Sequence, residues 1–130
     1  MTALIRINQE GQFTEITEGD AVTNASPVGD VASHDQITQL LDQPIVRLQV
    51  DGFADGRGFS VARQLRLLGF AGVIEVIGDL LPDQLPMAAA SGIDAILIRP
   101  EHAERCEESQ WRRKSGDKNR FNYQRLVARG

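Results

Sequence analysis

The sequence predicts an α/β fold: a three-stranded parallel βαβαβ core with a peripheral N-terminal hairpin and a helical C-terminal tail. Three observations predict it. Short runs rich in β-branched residues occur at Ile45 to Val50, Val73 to Ile77 and Ile93 to Ile98. The segments between them carry helical apolar periodicity, and crossovers of that length join parallel strands. Ahead of them, residues 4–7 and 13–16 alternate about a glycine-bearing turn, as hairpin strands do. The core is expected to be open, partial-barrel-like or doubly wound. The whole chain, 1–130, reads as one domain: hairpin 1–17, helix 33–43, βαβαβ core 44–99, and a helix with a basic tail over 100–130.

The hairpin rests on Leu4, Ile5, Arg6 and Ile7 and on Phe13, Thr14, Glu15 and Ile16. From Glu18 to Val31 the residues are mostly small, polar, proline or glycine, which predicts a loop. Ser33 is placed to cap a helix carrying Ile37, Leu40 and Leu41, and Pro44 ends that segment. After the first core strand, Ser60 is the expected N-cap of a helix with Val61, Leu65 and Leu68 on its apolar stripe and Gly69 as its left-handed stop. Pro86 cannot sit inside the next helix without losing a hydrogen bond, so its regular part is expected to start near Asp83, leaving Pro86 in the first turn. Crossovers of one preferred hand place both core helices on the same sheet face unless the strand order reverses. An open sheet also has edges, which the hairpin or a second subunit would cover.

Composition narrows the function classes. No apolar run approaches the roughly 18 residues of a membrane span, and the first residues have no signal-peptide core, so a cytoplasmic protein with no membrane partner is expected. Cys106 is the single cysteine, which excludes an internal disulfide and a cysteine-based zinc cluster. His34 and His102 stand alone, so no metal site is expected. Cys106 lies among Glu104, Arg105, Glu107 and Glu108, where acidic neighbours work against a reactive thiolate, and no nucleophile-elbow pattern is present. The net charge of −4 divides into −8 over residues 1–98 and +4 over 99–130. Arg112, Arg113, Lys114, Lys118, Arg120, Arg125 and Arg129, with Trp111, Phe121 and Tyr123 interleaved, have a nucleic-acid-binding composition. A strap across the chain's own acidic part, or docking on an acidic partner, accounts for the same charges without nucleic acid.

The three strands deliver their following loops to one rim, the usual ligand edge of parallel sheets. That rim receives Asp51, Asp55, Arg57 and Ser60, then Gly78, Asp79, Asp83 and Gln84, then Arg99. Gly56-x-Gly58-x-x-Ala62 superficially matches a dinucleotide fingerprint, with Asp79 downstream. Residues Asp51 to Asp55 separate it from the strand, and Asp55 would face a pyrophosphate with like charge. A nicotinamide or flavin nucleotide therefore stays the alternative, and no cofactor is the expectation. A reading that fits these residues better than the fingerprint is an anion site in which Arg57, Ser60 and the amides near Gly58 take a small oxyanion, with Asp79 and Asp83 holding Arg57 in place and Asp55, Gln84 and Arg99 alongside. In the competing reading Arg57 pairs with Asp79 or Asp83 across the rim, Ser60 caps, and the glycines turn.

The blocks FADGRGFSVARQLR (53–66), LGFAG (68–72), VIGDLLPDQL (76–85) and GIDA (92–95) resemble those of a bacterial family of uncharacterised function whose members are described as oxidoreductases associated with sulfite reduction. The resemblance runs from Pro44 to Arg99, with an echo at Tyr123-Gln124; before Pro44 this chain departs from the family pattern and is shorter. It implies an accessory or binding protein of assimilatory sulfite reduction, with sulfite reductase or another sulfur-assimilation protein as partner and sulfite as a fitting oxyanion. A homo-oligomer is the further partner expectation. Sulfite reduction needs haem and iron–sulfur centres, which one cysteine cannot ligate, so the chain is not expected to be the reductase itself. A nucleotide-dependent oxidoreductase and a purely structural interaction module are the alternatives.

Overall fold

Runs of valine, isoleucine and leucine favour extended backbone because branched side chains restrict χ1 and pack well on a pleated surface. Such runs form the centre of a six-stranded sheet in the computed structural model, which describes residues 3–17, 25–31, 33–52 and 54–116. The strands are β1 (Ala3–Asn8), β2 (Phe13–Thr17), β3 (Ala25–Pro27), β4 (Ile45–Gln49), β5 (Val73–Ile77) and β6 (Ala95–Ile98). The helices are α1 (His34–Gln39), α2 (Arg57–Leu67), α3 (Leu85–Ala90) and α4 (Pro100–Arg105), followed by a helical stretch at 108–116, here α5. The sheet order is β2-β1-β6-β5-β4-β3, with β3 to β6 parallel and β1 antiparallel to both β2 and β6.

The parallel strands follow one another without reversal, and the buried residues of α1, α2 and α3 all join one large apolar cluster with Val46, Leu48, Ile74, Val76, Ile96 and Ile98. The helices thus share a face, the singly wound form of the open sheet. The hairpin covers the β6 edge, as expected. At the other edge stands β3, within the stretch from Glu18 to Val31 whose composition predicts a loop. Three residues, Ala-Ser-Pro, are too few to show alternation, and a proline suits an edge position.

Local signals locate most boundaries. Ser33 accepts the Gln36 amide and Gln36 returns the bond to the Ser33 amide, a full capping box. Gly69 closes α2 at φ +93°. A 3₁₀ turn over Pro82–Gln84 precedes α3, and Pro86 lies in the first turn. Two expectations need correction. The last strand starts at Ala95; ahead of it the Asp94 amide donates to the Ile74 carbonyl while its carboxylate accepts the Ile74 amide and pairs with Arg66. Ser60 is not the N-cap: α2 begins at Arg57 behind Gly56, leaving Ser60 exposed in the first turn.

On the opposite face Leu4, Ile77, Ala95 and Leu97 form a second apolar cluster. Beside it Glu75, 5% exposed, accepts from Arg47 Nε at 2.9 Å and Arg6 Nε at 2.7 Å. The triad ties β1, β5 and β4 together across β6, where Ala95 is the small residue paired with Glu75. Trp111, expected among surface cations, is fully buried in the large cluster and donates to the Cys106 carbonyl. It offers no ring for base stacking. Lys118, Arg120, Phe121, Tyr123, Arg125 and Arg129 lie outside the described residues.

Candidate functional site

Where β4, β5 and β6 end, the backbone ladder continues one step: Val50 N–H donates to Ile77 and Gly78 N–H to Leu97. This holds the three following loops at one rim. A Cβ at Gly78 would lie 2.5 Å from Val50 Cγ2, so only glycine lets β5 leave the sheet this close to β4. Gly58 is likewise a packing glycine, buried with its Cα facing Val50. Of the glycines that superficially match a dinucleotide fingerprint, Gly58 thus serves the contact of α2 with Val50 just after β4, while Gly56 is exposed with open space around it.

Asp55 dominates the first loop. Its carboxylate accepts the Asp51 amide, the Arg57 amide, Arg57 Nε at 2.9 Å and Arg57 Nη2 at 3.0 Å. The Arg57 side-chain bonds, with the two amides, hold its pKa at about 2, below the usual carboxylate range. The same fork raises the Arg57 pKa. Asp51, almost fully exposed, stands 3.7 Å from Arg57 Nη2. The carboxylate on the leading amide of α2 belongs to the protein itself.

The second and third loops pair with each other. Asp79 accepts the Arg99 amide and Arg99 Nε at 2.7 Å, with Nη2 at 2.6 Å, and these bonds raise the Arg99 pKa. Asp83 pairs outward with Lys114 of α5 at 3.0 Å. Gln84 accepts the Leu81 amide at 2.8 Å and closes the 3₁₀ turn before α3. The expectation that Asp79 and Asp83 hold Arg57 is therefore corrected: Asp55, two residues away, is within reach at lower ordering cost, and Asp79 faces Arg99 instead.

The predicted residues fall into separate places. Arg99, Asp79 and Gly78 line a rim pocket of about 290 Å³ whose floor is Leu4, Ile77 and Leu97 from the second apolar cluster. Asp51, Asp55 and Asp79 border a neighbouring concavity. Arg57 and Ser60 open onto a third space on the helix side, against Gly29 and Val31. Sequence reasoning missed Gln49 and Leu4 in the rim pocket and Gln64 beside Ser60. Gln64 had a signal, being seven residues after Arg57 on one helix face. Leu4 had none, since antiparallel pairing of β1 with β6 brings it there. Among the described residues no set of three histidine, cysteine or acidic groups is placed to hold a metal ion, and no helix is long and apolar enough to cross a membrane.

No curated protein and no solved structure matches the chain. A bacterial family of unknown function matches residues 26–129, taking in all of β3 but Ala25, β4 to β6, all the helices and the basic C-terminal stretch. The match reaches well ahead of Pro44, where the resemblance in the sequence began. On that match, covering most of its length, the chain belongs to the bacterial protein family of unknown function DUF934.

Proposed function

We propose that this chain is an accessory, binding protein of assimilatory sulfite reduction, and that it engages a small oxyanion at the rim pocket beside Arg99. One observation carries the reading. Arg99, its side chain more than half exposed, stands at a pocket of about 290 Å³ with Asp79 fixed behind it. An arginine held by a carboxylate on one side keeps its remaining N–H groups oriented, which lowers the ordering cost when an anion arrives. The sulfite direction comes from the DGRGFS, GDLLPDQ and GIDA blocks and their resemblance to proteins associated with sulfite reduction.

Titration calorimetry with sulfite tests this. Saturable binding to wild type that weakens at least tenfold in Arg99→Ala, and is retained in Arg57→Ala, is the expected result. Recovery of a sulfite reductase subunit when the protein is isolated from its native host is expected alongside. A flavin spectrum, or binding of a nicotinamide nucleotide, would instead make the chain a cofactor-dependent oxidoreductase.

A second reading is favoured by the ion pairs themselves. Asp55–Arg57 and Asp79–Arg99 are closed on partners within the chain, as in a protein that works through surface contacts alone. Co-isolation of the reductase without any sulfite heat would decide for it.

A further inference from the structure

The helix-side space next to Arg57 is lined by residues that the rim pocket does not share. It measures about 230 Å³ and lies between α2 and the turn that leads from β3 to α1. Its floor is aliphatic: Val28, Val31, Ile37 and Val61. Its lip is polar, formed by Arg57, Ser60 and Gln64 at positions i, i+3 and i+7 of one helix face.

Part of this lip is uncommitted. Asp55 takes Arg57 Nε and Nη2, whereas among the described residues Nη1 has no hydrogen-bond acceptor and points past Gly29, where a Cβ would come within 3.3 Å of it. Neither the Ser60 hydroxyl nor the Gln64 amide has a protein partner among the described residues. An aliphatic floor with a few convergent polar groups is the usual composition of a small-molecule site.

Charge decides the ligand class. Two carboxylates, Asp55 and Asp51, lie within ion-pair distance of Arg57, whereas among the described residues Arg99 at the rim has Asp79 alone, so an anion beside Arg57 would meet an excess of negative charge that one beside Arg99 does not. A neutral acceptor meets no such opposition and still receives the Nη1 hydrogen. Ser60 and Gln64 can each donate and accept, which suits a group offering both a carbonyl and an N–H. The volume is below the roughly 300–1,000 Å³ of drug-sized pockets, so the molecule is small.

We propose that this cleft is a second binding site, for a small neutral aliphatic amide. The carbonyl accepts from Arg57 Nη1, the amide N–H is taken by Ser60 or Gln64, and the alkyl body lies over Val61 and Ile37.

Amide-resolved NMR titration with N-butylacetamide tests it, with butyrate as the charged comparator. Expected are saturable shifts centred on Gly29, Ser60 and Gln64, with butyrate at least tenfold weaker. Arg57→Ala also removes the partner of Asp55, so two exposed-site variants accompany it. Ser60→Leu, which blocks the mouth, should abolish saturation, and Gln64→Ala should weaken it severalfold, while both keep the wild-type spectrum elsewhere. Arg99→Ala at the rim pocket should change nothing here. Shifts that stay linear, that scatter over the surface, or that persist unchanged in Ser60→Leu would overturn the proposal. So would butyrate binding as tightly as the amide.

Discussion

Asp55 accepts four hydrogen bonds, two from amides and two from the Arg57 fork, and they favour only its ionised form. A carboxyl whose pKa falls from 3.8 to about 2 on folding contributes stability that is fully present above about pH 4 and lost as pH drops toward 2. Asp55→Asn should therefore lower the unfolding free energy by about 1 kcal/mol at pH 7, the typical worth of a helix-start acceptor. Urea titrations at pH 7, 4 and 3 should show the gap constant between the first two and narrower at the third. An unchanged gap at pH 3 would mean that the charge is not what matters. The sequence displayed Asp55, Arg57, Asp79 and Arg99 as rim residues, because loops after parallel strands share one edge. Their pairing was not legible. Asp55 and Arg57 are close in sequence, but Arg99 meets Asp79 only through the β5–β6 register, and nothing in a linear string ranks such partners.

Two glycines separate backbone conformation from space at the level of elements. Gly11 in the β1–β2 turn has φ +80°, and a Cβ there would lie 2.5 Å from the Trp111 carbonyl carbon and the Arg112 nitrogen. Gly69, ending α2, has φ +93° with open space around it. Alanine at Gly69 should cost about 1 kcal/mol, the left-handed penalty alone. At Gly11 it should cost about 3 kcal/mol or more, because the hairpin must also move off α5. Thermal unfolding of both variants measures the difference, and equal losses would place no weight on the hairpin–α5 contact. Phe13 strengthens that contact by donating its amide to Glu108, which lowers the Glu108 pKa. The periodicities of α1, α2 and the central strands were readable because each buries one face. The position of α5 was not, since Trp111 sits among cations in sequence and its burial depends on a turn a hundred residues earlier.

At the scale of the molecule, the strands differ in how their backbone groups are protected. β4, β5 and β6 each have a neighbour on both sides, whereas β2 and β3 have one. Hydrogen exchange should follow that order, with the amides of Ile74, Val76 and Ile96 slower by orders of magnitude than those of β2 and β3. Exchange in β5 as fast as in β2 would contradict the strand order. The parallel part was legible as a βαβαβ unit, but the pairing of β1 with β6, which seats Ile5 opposite Ile98, is long-range and left no local trace. That pairing bears on the order of events during synthesis. β4, β5 and β6 can dock one after another on emergence, each closing a modest loop, while the hairpin completes its contacts only once β6 exists. Through that interval the nascent chain carries a β1 edge with unpaired N–H and C=O groups and the bare isoleucines Ile5 and Ile7. A ribosome-associated chaperone that shields extended apolar segments would find its substrate there.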